Sequence, residues 1–314
     1  MVQILSDFLI KRPEGYYCAY GDFFIDPLHP VSHAVVSHAH ADHATPGHHK
    51  IYCTAPTAAF MHHRYPKQPV QSYVTPGYHQ FFELGSVRIR LIPAGHILGS
   101  AQILMEYLGV RYLYTGDYKT QADDTCEPLE AVRADVLITE STFADPEVTH
   151  PDPVSEIVKL NGAAHSILLG AYTLGKAQRL TALINNHCPE LRVLVHHAIL
   201  PVHRLYSSLG ADLRYEPYNR KEMKAASRGA VYLVPPMTFN SYYRATGVLR
   251  VFASGWKHLQ QRNDMELYIS DHVDWRDILE YIRLVEPREI WTMHGEGRHL
   301  AAHFSGELAV RAIG

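Results

Sequence analysis

The sequence predicts an α/β protein in which one domain is inserted into another. Residues 20–140 contain short apolar runs separated by turns, whereas residues 150–260 alternate between helical and strand patterns. The first pattern returns near the stretch SGWKHLQQRND, and a chain of 314 residues has room for about two domains. We therefore predict a first domain that begins at 1–150 and returns at 263–314, with an inserted domain at 151–262.

The N-terminal part is predicted to be rich in strands, because β-branched and aromatic residues dominate its apolar runs. These runs are GDFFID, HAVVSH, KIYCTA, SVRIRLIPAG, AQILMEYLG, VRYLYTGD and ADVLITE. The stretch THPDPVSEIV, rich in Pro and Asp, then indicates a domain boundary.

The inserted domain is predicted to alternate helices with strands. Helical periodicity is found in PVSEIVKLNG, GKAQRLTALINNH and ILPVHRLYSSLG, and strand patterns in HSILLG, LRVLVH and AVYLVP. After the insertion we predict a strand in MELYIS, a helix in WRDILEYIRLV and a last strand in EIWTM.

The composition limits the classes of function. A hydrophobic fraction of 46% and a charged fraction of 19% are typical of a soluble globular protein. The N-terminus lacks the apolar core of a signal peptide, and no apolar run approaches the roughly 18 residues of a membrane span. Four scattered cysteines favour reduced thiols, so we expect a cytoplasmic protein. Because the net charge is only −3, binding of a polyanion would need a local basic patch.

Residues 37–44, SHAHADHA, place four metal-binding side chains in six positions: His38, His40, Asp42 and His43. In an extended segment His38 and His40 point to the same side. If a helix follows, Asp42 and His43 lie in its first turn and can face a second ion. Imidazole and carboxylate together suit zinc or manganese, and two such ions about 3.5–4 Å apart form the clamp used in phosphoester hydrolysis.

Further titratable residues follow other apolar runs of the chain, at or just past the point where each run ends. They are His96, Asp117, Glu140, His272 and His294. Since the strands of one sheet end along common edges, we expect these residues to converge with the histidine-rich segment in one site.

These motifs resemble those of a known superfamily. SHAHADHA, with Asp26 in FFIDP, His96 in AGHILGSAQI and Asp117 in YTGDY, resembles the metallo-β-lactamase superfamily. TESTFAD, SDHVD and MHGE resemble the three extra motifs of its β-CASP branch, which processes nucleic acids. The resemblance implies an αββα sandwich with an inserted β-CASP cap domain. The stretch LLGAYTLGKAQRL further resembles bacterial ligase-associated DNA damage response exonucleases.

The resemblance also implies a role for each residue. His38, His40 and His96 would hold one metal ion, Asp42, His43 and His294 the other, and Asp117 would bridge them. Asp26 would orient the ligand loop through hydrogen bonds. Asp42, Glu140 and His272 would be catalytic, with Glu140 and His272 handling protons. Such a site activates a hydroxide at neutral pH, because metal lowers the pKa of bound water to about 7.

Phosphate contacts are a further expectation. Ser100 lies in the loop GHILGS, and Lys176 and Arg179 lie in GKAQR at a predicted helix start. Tight-turn packing and a solvated helix face are the alternative interpretations of these residues.

Three functions fit the motifs: a metal-dependent nuclease, a small-molecule hydrolase such as a thioesterase or lactonase, and a non-catalytic β-CASP subunit. The hydrolase has no need of a cap, and the subunit would be expected to lack ligands that are all present here. We therefore predict a nuclease. His at the third β-CASP motif, here His294, accompanies RNA-processing members, whereas the chain length and the cap sequence favour DNA. We predict a DNA exonuclease in DNA repair with a functional link to a DNA ligase and a helicase, and keep an RNA-processing ribonuclease as the alternative.

Overall fold

The computed structural model describes residues 3–67, 72–219, 229–260, 263–295 and 297–313. Its strands are β1 (Ile10–Arg12), β2 (Gly15–Cys18), β3 (Phe23–Ile25), β4 (His33–Val35), β5 (Lys50–Tyr52), β6 (Ser72–Val74), β7 (Phe81–Leu84), β8 (Val87–Pro93), β9 (Ala101–Tyr107), β10 (Val110–Tyr114), β11 (Val136–Glu140), β12 (Ser166–Gly170), β13 (Arg192–Val195), β14 (Glu216–Pro217), β15 (Ala230–Val234), β16 (Val248–Phe252), β17 (Glu289–Met293) and β18 (Ala309–Ala312). Its α-helices are α1 (Ala55–Arg64), α2 (Pro153–Ile157), α3 (Lys176–His187), α4 (Leu200–Ser208), α5 (Pro236–Ser241), α6 (Trp275–Val285) and α7 (Arg298–His303). Short 3₁₀ turns lie at Val158–Gly162 and Lys257–Leu259.

The chain divides into two compact units. The first unit comprises residues 1–120, 127–149 and 272–314, and the second comprises residues 121–126 and 150–271. The second unit is therefore inserted into the sequence of the first.

The first unit contains two stacked sheets. Strands β1 to β6 form one sheet in chain order, and the other has the order β18-β17-β11-β10-β9-β8-β7. Alternate residues of each strand face the space between the sheets. In β10, for example, Tyr112 and Tyr114 join the core between the sheets, whereas Leu113 joins the core on the outer face.

A helix covers the outer face of each sheet. Helix α6 begins after Asp274, whose side chain accepts hydrogen bonds from two backbone N–H groups of the first turn. Its buried residues recur at helical spacing and pack on the seven-stranded sheet: Ile278, Tyr281, Ile282 and Val285. Helix α1 packs Ala58 and Met61 on the six-stranded sheet. The order helix, sheet, sheet, helix confirms the predicted αββα sandwich.

The second unit is a parallel five-stranded sheet with the order β14-β13-β15-β12-β16. Leu180 and Ile184 of α3 belong to the core on one face, and Phe239 of α5 belongs to the core on the other. This is the alternating helix and strand pattern that the sequence predicted.

The strand predicted in MELYIS is wrong. Between residues 265 and 270 the structure has a single bridge, from Leu267 to Ala253. The Gln260 side chain bonds both backbone groups of Leu267, at 3.1 and 3.2 Å, and Glu156 accepts from the N–H of Tyr268 at 2.9 Å. Side chains thus take the place of a neighbouring strand.

Among the described residues, no helix is both long and apolar enough to span a membrane.

Candidate metal centre

Four strands of the seven-stranded sheet end at the same edge. Strands β10, β11 and β17 are parallel, and β8 shares their direction because it is antiparallel to β9, itself antiparallel to β10. The loops that follow carry His96, Asp117 and His294, while Glu140 is the last residue of β11.

The expectation that a single sheet supplies the whole site is wrong in two respects. The segment with His38, His40 and His43 follows β4, which belongs to the six-stranded sheet. His272 follows an irregular segment and precedes α6. Backbone hydrogen bonds connect both segments to the edge of the seven-stranded sheet. The N–H of Ala101 donates to the carbonyl of Ser37 at 2.8 Å, and the N–H of Val273 donates to the carbonyl of Tyr118 at 3.1 Å.

A first group of possible ligands gathers His38, His40, His96 and Asp117. His40 Nδ1 lies 3.0 Å from the Nε2 atoms of both His38 and His96. Asp117 Oδ2 lies 3.6 Å from His38 Nε2 and 3.8 Å from His96 Nε2.

A second group gathers His43, Asp117 and His294. His43 Nε2 lies 3.5 Å from Asp117 Oδ2, so Asp117 belongs to both groups. The rings of His43 and His294 are 5.5 Å apart. Asp42 lies at the margin, with Oδ2 3.7 Å from His43 Nε2 and a side chain that is 74% exposed.

These spacings fit metal ions. Ligand bonds of 2.0–2.1 Å in a tetrahedral arrangement place neighbouring donor atoms about 3.3 Å apart. The measured separations of 3.0–3.8 Å around His40 Nδ1 and Asp117 Oδ2 lie on both sides of this value. A set of imidazoles and one shared carboxylate is also a donor set that suits zinc or manganese.

The charges of the site favour cations. Burial, followed by the neighbouring rings of His43 and His96, lowers the pKa of His38 well below its usual value. Burial also opposes protonation of His43, but Asp117, Asp26 and Asp42 outweigh it and raise the pKa of His43 to about 10. Since a ligand imidazole must be neutral, a metal ion would have to displace this proton, and the same carboxylates that attract the proton would attract the metal.

Asp26 is hydrogen-bonded to the segment that carries His38, His40 and His43. Its Oδ1 accepts the N–H of Ser37 at 2.7 Å, and its Oδ2 accepts the Ser37 hydroxyl at 2.6 Å. The same oxygen lies 2.8 Å from His43 Nδ1 and accepts the Tyr114 hydroxyl at 3.0 Å. These bonds leave Nε2 of His43 to face Asp117.

The loop that carries His96 is held from inside. The buried Ser100 hydroxyl accepts the N–H groups of His96 and Ile97 at 3.0 and 3.2 Å, so this side chain stabilises the loop from within. Lys119, also buried, donates to the carbonyls of Gly95 and His96 at 2.5 and 2.7 Å. The sequence reasoning missed Lys119. Its position two residues after Asp117 was the available signal.

Glu140 and His272 form a pair at the same edge. His272 Nδ1 lies 2.9 and 3.1 Å from the two carboxylate oxygens of Glu140. Glu140 is fully buried and also accepts the N–H of Tyr118, whereas the His272 side chain is 28% exposed. The carboxylate of Glu140 therefore fixes the orientation of the His272 ring through Nδ1.

Lys176 and Arg179, predicted to contact phosphates, form ion pairs inside the second unit. Both are buried and form ion pairs with Asp271, at 3.1 Å from Lys176 and 2.9 Å from Arg179. They also donate to the carbonyls of Ile269 and Ser270. We therefore assign them to the packing of the second unit and not to phosphate binding.

Comparison with known proteins places these features in context. Residues 265–308 match the family model described as Zn-dependent metallo-hydrolase RNA specificity domain. A protein of Opitutus terrae named probable DNA ligase is 29% identical over 97% of this chain, and the match covers 30% of that protein. An RNase J-like protein of Methanocaldococcus jannaschii is 25% identical over 85% of this chain and 82% of its own length.

Two further matches are narrower or structural. The endoribonuclease YSH1 of Gibberella zeae is 32% identical over 35% of this chain and 14% of its own length. A crystal structure of a protein of unknown function from Enterococcus faecalis V583 has a TM-score of 0.61 and 16% identity, and the match covers 98% of this chain and 84% of that one. The chain thus spans less than a third of the Opitutus protein, and its fold is shared with the Enterococcus protein.

Proposed function

Because the chain belongs to the β-CASP branch of the metallo-β-lactamase superfamily, we propose that it is a metal-dependent nuclease that hydrolyses phosphodiester bonds. One observation carries the proposal: two groups of metal ligands share Asp117, and the Glu140–His272 pair lies beside them. A small-molecule hydrolase on this scaffold has no use for the inserted second unit.

The residues divide the work as follows. His38, His40 and His96 would hold one divalent ion, His43 and His294 would hold the other with Asp42 at its margin, and Asp117 belongs to both ligand groups. When bound, such ions supply Lewis acidity and lower the pKa of water.

Asp26 and Glu140 orient neighbouring histidines, and His272 transfers a proton. Asp26 keeps His43 turned towards Asp117, since its Oδ2 lies 2.8 Å from His43 Nδ1. His272 donates a proton to the leaving oxygen of the substrate, because an unprotonated alkoxide leaves poorly. Glu140 orients the imidazole through Nδ1.

We propose DNA as the substrate and exonucleolytic repair as the role. The match over 97% of this chain to a protein named probable DNA ligase supports this choice. RNA is the second candidate, since the family model at residues 265–308 is described as an RNA specificity domain and the archaeal relative is named RNase J-like.

Elemental analysis tests the metal centre. We expect close to two transition-metal ions per chain, and His294→Ala should lower the content towards one because His294 belongs to only one ligand group. His63→Ala, at an exposed histidine of α1, is the matched control and should keep the wild-type content. A His294→Ala variant that keeps both ions and full activity would contradict the assignment.

A substrate panel tests the function. End-labelled single- and double-stranded DNA and RNA of one sequence are incubated with zinc, manganese or magnesium. We expect faster degradation of DNA. Cleavage of RNA with negligible cleavage of DNA would reverse the substrate, and activity restricted to thioesters or lactones would exclude a nuclease.

A further inference from the structure

Ser37 lies between the Asp26 carboxylate and the first histidine of the ligand segment. Its hydroxyl donates to Asp26 Oδ2 at 2.6 Å and lies 3.1 Å from Nδ1 of His38. All three residues are buried. Because buried polar hydrogens are almost always paired within a protein, the direction of each of these contacts can be worked out.

The single proton of the Ser37 hydroxyl decides the direction. A serine hydroxyl has one proton to donate and lone pairs with which to accept, whereas a carboxylate only accepts. With its proton donated to Asp26, the Ser37 hydroxyl accepts from His38, so Nδ1 of His38 carries a proton. In the neutral ring Nε2 then keeps its lone pair, and this atom lies 3.0 Å from His40 Nδ1 and 3.6 Å from Asp117 Oδ2.

The same carboxylate oxygen contacts a histidine of the second ligand group. Asp26 Oδ2 lies 2.8 Å from Nδ1 of His43, whose Nε2 lies 3.5 Å from Asp117 Oδ2. His38 and His43 belong to different ligand groups. Asp26 therefore reaches one group directly, through His43, and the other through the hydroxyl of Ser37.

We infer that Ser37 is a positioning residue of the metal centre: its hydroxyl keeps the proton of His38 on Nδ1 and thereby leaves the Nε2 lone pair for a divalent ion. Without the hydroxyl, the Nδ1 proton would lose its acceptor, which is costly in a buried site, and the tautomer protonated on Nε2 would gain. Loss of such a bond to a ligand histidine typically lowers metal affinity about 10- to 100-fold. This inference rests on the proposed metal-dependent nuclease and names a residue that orients one of its ligands.

Nitrogen-15 NMR of the imidazole rings in metal-free protein tests the tautomer directly, because protonated and unprotonated ring nitrogens differ in chemical shift. The resonances of His38 are those that are missing from His38→Gln. In wild type we expect the proton on Nδ1 of His38, and Ser37→Ala should shift it towards Nε2. A wild-type ring protonated on Nε2 alone would overturn the inference, whatever the variants do.

Tyr114→Phe is the matched control. The Tyr114 hydroxyl donates to the same Asp26 Oδ2 at 3.0 Å, so each variant removes one hydroxyl from one carboxylate oxygen. Since the Ser37 hydroxyl is the one at 3.1 Å from His38 Nδ1, Tyr114→Phe should leave the His38 tautomer unchanged. An equal change in both variants would place the effect on Asp26 and contradict the role of Ser37.

Metal affinity is the second measurement. Competition for zinc with a chromophoric chelator should show binding of one ion weakened by about 10- to 100-fold in Ser37→Ala. The ion of the group with His43 and His294 should bind nearly as in wild type. Thr181→Ala removes a hydroxyl that lies 2.8 Å from Nε2 of buried His203 in the second unit, and it should keep wild-type affinity for both ions.

The outcomes separate this inference from the proposed function. A Ser37→Ala variant that keeps the wild-type tautomer of His38 would overturn the role of Ser37, even if its metal affinity falls, and would leave the nuclease intact. A wild-type protein that binds no divalent metal would remove the proposed nuclease. The tautomer of His38 in the metal-free variants would then still decide whether Ser37 holds the proton on Nδ1.

Discussion

Two residues of the metal centre have a backbone conformation that side chains with a Cβ rarely adopt. Asp26 has φ 43° and His294 has φ 52°, both in the left-handed region. Such positions typically cost about 1–3 kcal/mol and persist where the surroundings hold them in place. At Asp26 the surroundings are the bonds from Ser37, His43 and Tyr114, which tie the left-handed turn to the ligand loop.

For His272 we predict a role as the general acid that protonates the leaving oxygen. Loss of a general acid should slow hydrolysis by about 10²- to 10⁴-fold, so His272→Ala should be slow on a normal phosphodiester. On a substrate whose bridging 3′ oxygen is replaced by sulfur, the leaving group needs no proton and the variant should be nearly as fast as wild type. Single-turnover rates on the two substrates give the comparison.

Asp117→Ala is the matched control, since it removes the carboxylate shared by both ligand groups and should be slow on both substrates. An equal defect of His272→Ala on the two substrates would contradict the acid role and favour binding of the phosphate by a cationic imidazole.

The sequence indicated the candidate ligand residues more clearly than the residues that hydrogen-bond to their loops. His38, His40 and His43 stand out because three histidines fall within six positions, and the structure brings them together with His96 and Asp117. Lys119 and Ser100 bond to backbone carbonyls and N–H groups, and their residue types alone do not indicate these bonds. The burial of Lys176 and Arg179 could not be predicted either, because a single sequence does not reveal which face of a helix packs against the core.

At the scale of elements, the prediction of helices and strands was correct where the apolar residues recur at a regular spacing over the whole element. Strands β8 to β11 and helices α3, α4 and α6 lie where the sequence placed them. It failed at residues 265–270, whose alternating pattern is that of a strand but whose backbone is bonded by the side chains of Gln260, Glu156, Lys176 and Arg179. Residues distant in sequence replaced the partner strand, and local pattern cannot foresee this.

The packing of α4 on α3 predicts a dependence of stability on pH. Buried His203 lies in α4, where its Nδ1 accepts from Gln178 Nε2 at 2.9 Å and its Nε2 lies 2.8 Å from the Thr181 hydroxyl. This arrangement requires a neutral ring, and burial lowers the pKa of His203 to about 4. Because the unfolded chain binds a proton near pH 6.5 and the folded one does not, stability should fall as pH drops from about 6.5 to about 4.

Between pH 7 and pH 5 this group should remove about 2 kcal/mol from the free energy of unfolding. Urea unfolding at the two pH values gives the difference, and His203→Gln should reduce it by that amount. His165→Gln, at an exposed histidine of the same unit, should keep the wild-type difference. A pH dependence that is unchanged in His203→Gln would show that His203 is not its source.

At the scale of the whole molecule, removal of metal should affect the two units unequally. All the candidate ligands lie in the first unit. Ligand binding stabilises the states that keep the intact site over those that lose it, by about 2.7 kcal/mol when free ligand is at a hundred times Kd. Chelation should therefore loosen the loops around residues 37–43, 94–100 and 115–119, while α3 of the second unit keeps its protection.

Hydrogen exchange followed by mass spectrometry, with and without chelator, measures both units in one sample. The Asp117→Ala variant should resemble the chelated protein from the start. Equal loss of protection in α3 would contradict a metal centre confined to the first unit.

The insertion of the second unit also determines the order in which parts of the metal centre are synthesised. A ribosome completes residues 1–149 and the entire second unit before it reaches His272 and His294. Until then β11 lacks its neighbour β17, and the second ligand group lacks one histidine. The second ligand group is therefore completed only when the last segment leaves the exit tunnel and β17 pairs with β11.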